Sequence, residues 1–194
     1  MNIVDRAKNI VLQPRQEWQV VSGEAHTVQG LYTGYVMILA AIPPIAGFIG
    51  MSLVGIGMFG TSYRVPIAAG VANMVVGYLL TLGMVYVLAL LIDILAPNFG
   101  SEKNFAQALK LAAFFPTAGW LAGIFSILPI VSILGLVGWL YSLYLLFLGL
   151  PVLMKTPEDK AVGYTIVVIL CAIVLGVVVA ALGALTLPGA MRGF

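Results

Sequence analysis

Leu111-Ala112-Ala113-Phe114-Phe115-Pro116-Thr117 opens a run with no charge before Lys155, which closes as Leu148-Gly149-Leu150-Pro151-Val152-Leu153-Met154. As one helix, Leu111 to Met154 would measure about 66 Å, roughly twice the hydrocarbon thickness of a bilayer. The run must therefore fold back once. Pro129, near its middle in Ser126-Ile127-Leu128-Pro129, removes a backbone donor and disfavours helix at Leu128, so the reversal is expected there. Two bilayer-crossing helices joined by a tight hairpin fix the class as an all-α, polytopic membrane protein.

The rest of the chain has the same character. Mean hydropathy is +1.12 and only 8% of residues are charged, against about 25% in soluble domains. Apolar runs bounded by charges, Pro or Gly place five spans at about 31–57, 66–94, 106–127, 130–153 and 162–187, each near the length that crosses a bilayer. Residues 1–30 form an interfacial N-terminal segment and 31–194 the transmembrane domain, leaving no room for a soluble catalytic module. A net charge of +2 is too small to argue for nucleic acid as a partner.

Arg6, Lys8, Arg15, Lys103, Lys110, Lys155 and Lys160 fall on one side of this five-span plan, and only Arg64 and Arg192 on the other. The positive-inside rule then puts the N-terminus in the cytoplasm and the C-terminus outside. The first 30 residues hold no continuous apolar stretch, so they do not read as a cleavable signal, and the first span is expected to act as an uncleaved signal anchor. Ile3, Val4, Ala7, Ile10 and Val11 share one helical face opposite Asp5, Arg6, Lys8 and Asn9. That pattern predicts an amphipathic helix lying in the cytoplasmic interface, with Arg6 and Lys8 toward anionic lipid. Pro14 suits the first turn of a second helix, Glu17 is favourable near its start, Trp18 is expected as an interfacial anchor and Gly23 as its end.

Few residues could carry chemistry. Pro43-Pro44 in the first span must interrupt its hydrogen-bond ladder and free carbonyls near Leu39 and Ala40, as a kink or as a broken-helix site; Pro116 invites the same two readings. Asp93 is the only acid inside an apolar run, and intramembrane ionisable groups are functional candidates. It lies about one turn from the cytoplasmic end of the second span, where it is expected to reach water. Asn73 lies deeper and reads as an interhelical hydrogen-bonding group. Ala172, Gly176, Ala180 and Ala184 form a small-residue stripe, for a homo-oligomer contact or for packing within the chain; Gly119 and Gly123 make a weaker pair of the same kind. Lys155, Glu158, Asp159 and Lys160, bracketed by Pro151 and Pro157, are a candidate cytoplasmic docking loop or a plain hairpin.

His26, the one histidine, sits near Glu17 and Glu24 without a recognised ligand spacing and reads as a solvated interfacial residue. Cys171, the one cysteine, lies in an apolar run and reads as a core residue. No phosphate loop, paired carboxylates or Cys/His cluster is present in the sequence, so neither a metal, a cofactor nor catalysis is expected.

The stretch Tyr144-Leu145-Leu146-Phe147-Leu148-Gly149-Leu150-Pro151-Val152-Leu153-Met154-Lys155-Thr156-Pro157, continuing to Tyr164, together with Leu12-Gln13-Pro14-Arg15-Gln16-Glu17-Trp18, resembles the bacterial branch of the Yip domain family. Its eukaryotic members are Rab/Ypt-interacting membrane proteins linked to vesicle traffic. The resemblance implies five helices, a cytoplasmic N-terminus and a bacterial inner-membrane location. This chain lacks the long N-terminal region and the Asp-Leu-Tyr-Gly-Pro motif of the eukaryotic members, so Rab binding does not carry over. Two functions are expected from the residues: a non-enzymatic scaffold binding lipids, other membrane proteins or a second copy, or a small-solute or ion transporter using the breaks near Pro43, Pro44, Asn73 and Asp93.

Overall fold

The computed structural model describes residues 2–58, 61–128 and 131–184. Two short helices, α1 (Ile3–Leu12) and α2 (Pro14–Gly23), precede five helices long and apolar enough to cross a membrane: Val28–Val54, Ile67–Phe99, Phe105–Ile127, Ile133–Met154 and Glu158–Ala184. Asn2 caps α1 by accepting from the Val4 amide at 3.2 Å, and Pro14 opens α2, where its missing N–H has no helical partner to lose.

Several boundaries differ from the sequence reading. The first span stops at Val54 rather than 57, because Gly55 takes a φ of 85° through which a helix cannot continue. Beyond it β1 (Ile56–Met58) and β2 (Thr61–Tyr63) pair antiparallel, with Gly57 opposite Ser62. The fifth span starts at Glu158, four residues early. The Pro157 carbonyl accepts from the Lys160 and Ala161 amides, and Glu158 and Asp159 fall in the first turn, where acidic side chains favour the helix dipole. The reversal assigned to Pro129 lies outside the described residues, as do Leu187 and Arg192. On either side of it the third span ends in a 3-10 turn at Ile127 and the fourth begins at Ile133.

The first span is assembled from pieces. Wide π turns run over Tyr32–Val36 and Ile49–Val54, and a fresh α segment, Ile42–Phe48, restarts after a turn at Ala40 and Ala41. Pro43 and Pro44 thus occupy a first helical turn, where absent donors are tolerated. Tyr78 of the second span donates to the Met37 carbonyl at 2.9 Å, and Tyr32 donates to Leu82 at 3.0 Å, tying the two spans together across the interruption.

The third span is the hub: 78% of its most apolar window is buried, against 11% for the fifth span. Its sequence explains this. Ala108, Ala112, Ala113, Ala118 and Gly119 are small, and close approach is what holds helices together in lipid, where apolar burial by itself gains nothing. The Trp139 ring of the fourth span lies on Gly119, and Pro43 of the first on Gly123, so that a β-carbon at either glycine would fall 2.7 Å and 2.6 Å from them. Gly119 and Gly123 therefore pack within the chain.

Candidate functional site

The N-terminal helices do not lie free on a membrane surface. Ile10, Trp18 and Val21 are fully buried in the same core as Leu111, Leu145, Leu150 and Met154. Trp18, expected as an interfacial anchor, instead covers Gly149 of the fourth span, where a β-carbon would come within 2.5 Å of the indole. Lys110 donates from Nζ to the Val21 carbonyl at 3.0 Å, Gln107 from Nε2 to Ser22 at 3.0 Å, and Tyr141 from its hydroxyl to Val11 at 2.7 Å. Each caps a backbone carbonyl of α1 or α2 with a side chain from a span.

Arg6 is 5% exposed, which corrects its assignment to anionic lipid. Its guanidinium donates to Glu17 at 2.5 Å and to both oxygens of Glu24, lies 5.7 Å over the Phe114 ring, and closes the α1–α2 pair from inside. The physical reason is charge compensation: Glu17 is also buried and Glu24 partly so, and a buried carboxylate requires a cation beside it. Burial pushes the Glu24 carboxyl up, but hydrogen bonds and charge from Arg6 and then His26 outweigh it and hold the group below its ordinary 4.5. His26 Nε2 stands 3.0 Å from Glu24, and its ring meets Phe114 edge-on at 6.1 Å. The histidine is thus a partly buried member of a cluster rather than a solvated residue. Arg6, Glu24, His26, Tyr35 and Phe114 share a cavity of about 360 Å³. Below it Tyr35 and Thr117 hydroxyls meet at 2.8 Å, and Thr117 in turn donates to Phe114, beside the break that Pro116 makes in the third span.

A second cavity, about 410 Å³, lies between the spans and is almost wholly apolar. It joins several residues singled out in the sequence: Pro43 and Pro44 from the first span, Ala172 and Gly176 from the fifth, with Phe115, Trp120 and Trp139 completing the wall. The small-residue stripe is divided. Ala172 is buried, Gly176 has open space where a β-carbon would stand, and Ala180 and Ala184 are exposed.

Asn73 does what its type predicts, donating from Nδ2 to the Gly183 carbonyl at 3.0 Å and linking the second and fifth spans. Asp93 does not reach water. Val85, Leu88, Ala89 and Ile92 make a buried stripe on the second span, and Asp93 lies at its edge, 7% exposed, with Oδ1 lacking a hydrogen-bond partner among the described residues. Tyr164 of the fifth span donates to the neighbouring Ile92 carbonyl. The expected docking loop is shorter than its prolines implied. Pro151 lies inside the fourth helix, and Lys155, at φ 48°, ends it. Only Lys155, Thr156 and Pro157 connect the spans, while Glu158, Asp159 and Lys160 begin the next helix. Lys155 bridges to Glu102 at 2.9 Å, and the buried Ser101 hydroxyl donates to Thr156 at 2.8 Å, so the two connections at this end are fastened together. Among the described residues no group of three His, Cys, Asp or Glu side chains could hold a metal.

Five apolar helices, a proline-broken first span and helices α1 and α2 packed on one end define a multi-pass α-helical membrane protein. The Yip1 domain model matches residues 8–181, so the chain belongs to the Yip1 domain family. Inner membrane protein YohC of Escherichia coli K12 is 30% identical over 156 residues, covering 78% of this chain and 80% of its own length. The YohC protein of E. coli O6:H1 matches to the same extent. No solved structure matches the chain.

Proposed function

We propose that this protein is a non-enzymatic scaffold of the bacterial inner membrane, with its N-terminal end in the cytoplasm, that binds other membrane proteins or a second copy of itself. The observation carrying this reading is the fastened end of the bundle. There the Arg6 cluster, the Lys110 and Gln107 contacts, and the Ser101–Thr156 and Glu102–Lys155 pairs join α1, α2 and both connections into one surface. That surface presents Lys155, Glu158, Asp159 and Lys160 as fixed, exposed charges, an arrangement that gives partner specificity more than raw affinity. The polar groups within the spans support the same reading. Asn73, Tyr32, Tyr78, Thr117 and Ser142 bond to groups of the chain itself rather than lining a wet path.

Crosslinking from position 158 in native membranes, followed by mass spectrometry, tests this. Reversing Glu158, Asp159 and Lys160 together should remove a crosslinked partner and leave the fold intact; an unchanged partner set removes the docking role. A transporter is the second reading, favoured by one observation: the Pro43–Pro44 break and Phe115, beside the Pro116 break, line one cavity. Reconstitution in liposomes separates the two. Solute or ion flux abolished by replacing Asn73 and Asp93 would displace the scaffold.

A further inference from the structure

The apolar cavity of about 410 Å³ lies at hydrocarbon depth on every span. Pro43 and Pro44 stand near the middle of Val28–Val54, Met84 near that of Ile67–Phe99 and Phe115 near that of Phe105–Ile127, and the wall continues over 136–143 of the fourth span and 172–179 of the fifth. Those last two stretches make a slot about 10 Å tall at 1.5 Å per residue. One end of it is shut, since Leu145, Leu146 and Leu150 of the fourth span and Tyr164, Val168 and Ala172 of the fifth are buried. Toward Ile133 the packing opens, and among the described residues of the fourth helix none before Ser142 is buried. Leu136 and Leu140 of the fourth span and Ile173 of the fifth line the slot yet are 55%, 58% and 52% exposed. Its mouth therefore opens sideways, between the fourth and fifth spans, into lipid.

What fills this space follows from its wall. The one hydroxyl among the described residues of the wall, that of Thr81, donates to the Gly77 carbonyl at 2.8 Å, and an ordered water needs two or more polar partners. Left empty, the slot forfeits the dispersion contacts of every group around it. Gly176 marks the room: it lines the slot, and a β-carbon there would meet nothing within 4 Å. A helix of a second copy crosses the whole bilayer, about 30 Å of hydrocarbon, and needs a groove roughly three times as tall. The end of an acyl chain stops near the middle of the bilayer, where the slot is shut.

We propose that this slot is a binding site for one acyl chain of a phospholipid, which enters between the fourth and fifth spans and ends against Phe115 and Pro44. The chain takes the volume that Ala172 and Gly176 leave free and completes the packing beside Trp139, whose ring rests on Gly119. The site stands independently of the scaffold reading.

The test uses the full-length protein in phosphatidylcholine vesicles that contain a small share of phosphatidylcholine with a diazirine at the end of one acyl chain. Irradiation attaches the probe where it lies, and peptide mass spectrometry locates the adducts. The wild type should carry them on Phe115 and Ala172, 3% and 8% exposed, as well as on Val177, 63% exposed at the same depth on the fifth span. Gly176→Leu, which puts a side chain into the slot, should abolish the first two and keep the third. Adducts on Val177 alone in the wild type, or undiminished adducts on Phe115 and Ala172 in Gly176→Leu, would overturn the site. Ready formation of disulfide-linked dimers by the Cys171→Ser, Gly176→Cys double variant in the same vesicles would seat a second copy there and overturn it as well. Should Gly176→Leu fail to fold, the wild-type adduct map still decides.

Discussion

Arg6 is the side chain on which the N-terminal helices depend. Replacing it with Gln leaves Glu17 buried without a countercharge, a loss on the order of 3 kcal/mol for a buried pair. Hydrogen exchange across residues 3–23 should accelerate strongly in Arg6→Gln, while exchange in the third span changes little; unaltered protection of α1 would show that apolar packing alone holds it. Glu24 gives the same contact a pH dependence. Its carboxyl is held below its ordinary 4.5, with burial opposing and Arg6 and His26 prevailing. Its contribution is therefore complete above 4.5 and is lost as pH falls through the lower folded-state value. Exchange of α1 should rise on acidification below 4.5 in the wild type, and Glu24→Gln should flatten that rise.

Helix contacts in this molecule rest on glycines that admit a large neighbour. Gly149 and Gly176 look alike in sequence, each within an apolar helix, yet only the first is covered, by Trp18. Gly149→Ala should destabilise by about 1–3 kcal/mol, as overpacking does, and should loosen α2 first. Trp18→Leu in the same chain should recover part of the loss. Gly176→Ala has open space before it and should leave thermal stability unchanged in detergent. Helix propensity favours Ala over Gly at both positions, so a matching loss at both sites would mean that the tryptophan contact does not set the cost. The breaks at Pro43–Pro44 and Pro116 belong to this scale as well. At the first break a helix restarts at Ile42 with the prolines in its first turn, at the second it restarts at Thr117 just beyond Pro116, and a side chain on a facing or adjacent position, Tyr78 or Thr117, bonds a carbonyl near each gap.

For the whole molecule, the charge rule predicts sidedness from the seven Lys and Arg residues that the five-span plan puts on the same side as the N-terminus. Cys171 is the single thiol, so Cys171→Ser gives a clean background for cysteines placed one at a time at Thr61 and Glu158. An impermeant reagent applied outside intact cells should label position 61 and spare 158. Labelling of 158 from outside would reverse the orientation, and equal labelling of both would break the five-span topology.

The existence of five spans was legible because it depends on local quantities: the length and hydropathy of a stretch, and the cost of placing charge in hydrocarbon. The uncharged run from Leu111 to Met154 could satisfy those demands only by turning back, and α1 and α2 followed from amphipathic pattern, from Pro14 and from the terminal Gly23. Which face of each span points inward was not legible. Lipid is as apolar as a protein core, so the side chains facing it need not differ from those facing a neighbour, and the helical periodicity that reveals a soluble core is absent from these spans. Its place about one turn from the end of the second span would put Asp93 in water, whereas the buried stripe Val85, Leu88, Ala89 and Ile92 turns it inward. Arg6 and Trp18 were given to the membrane surface because amphipathicity marks an apolar face without saying whether lipid or protein covers it. Only the tertiary structure decided that Gly149 is a socket for Trp18, that Arg6 closes a carboxylate pair, and that Pro43, Pro44, Ala172 and Gly176 meet around one cavity. Each of these rests on contacts between segments far apart in the chain, which no local property of either segment encodes.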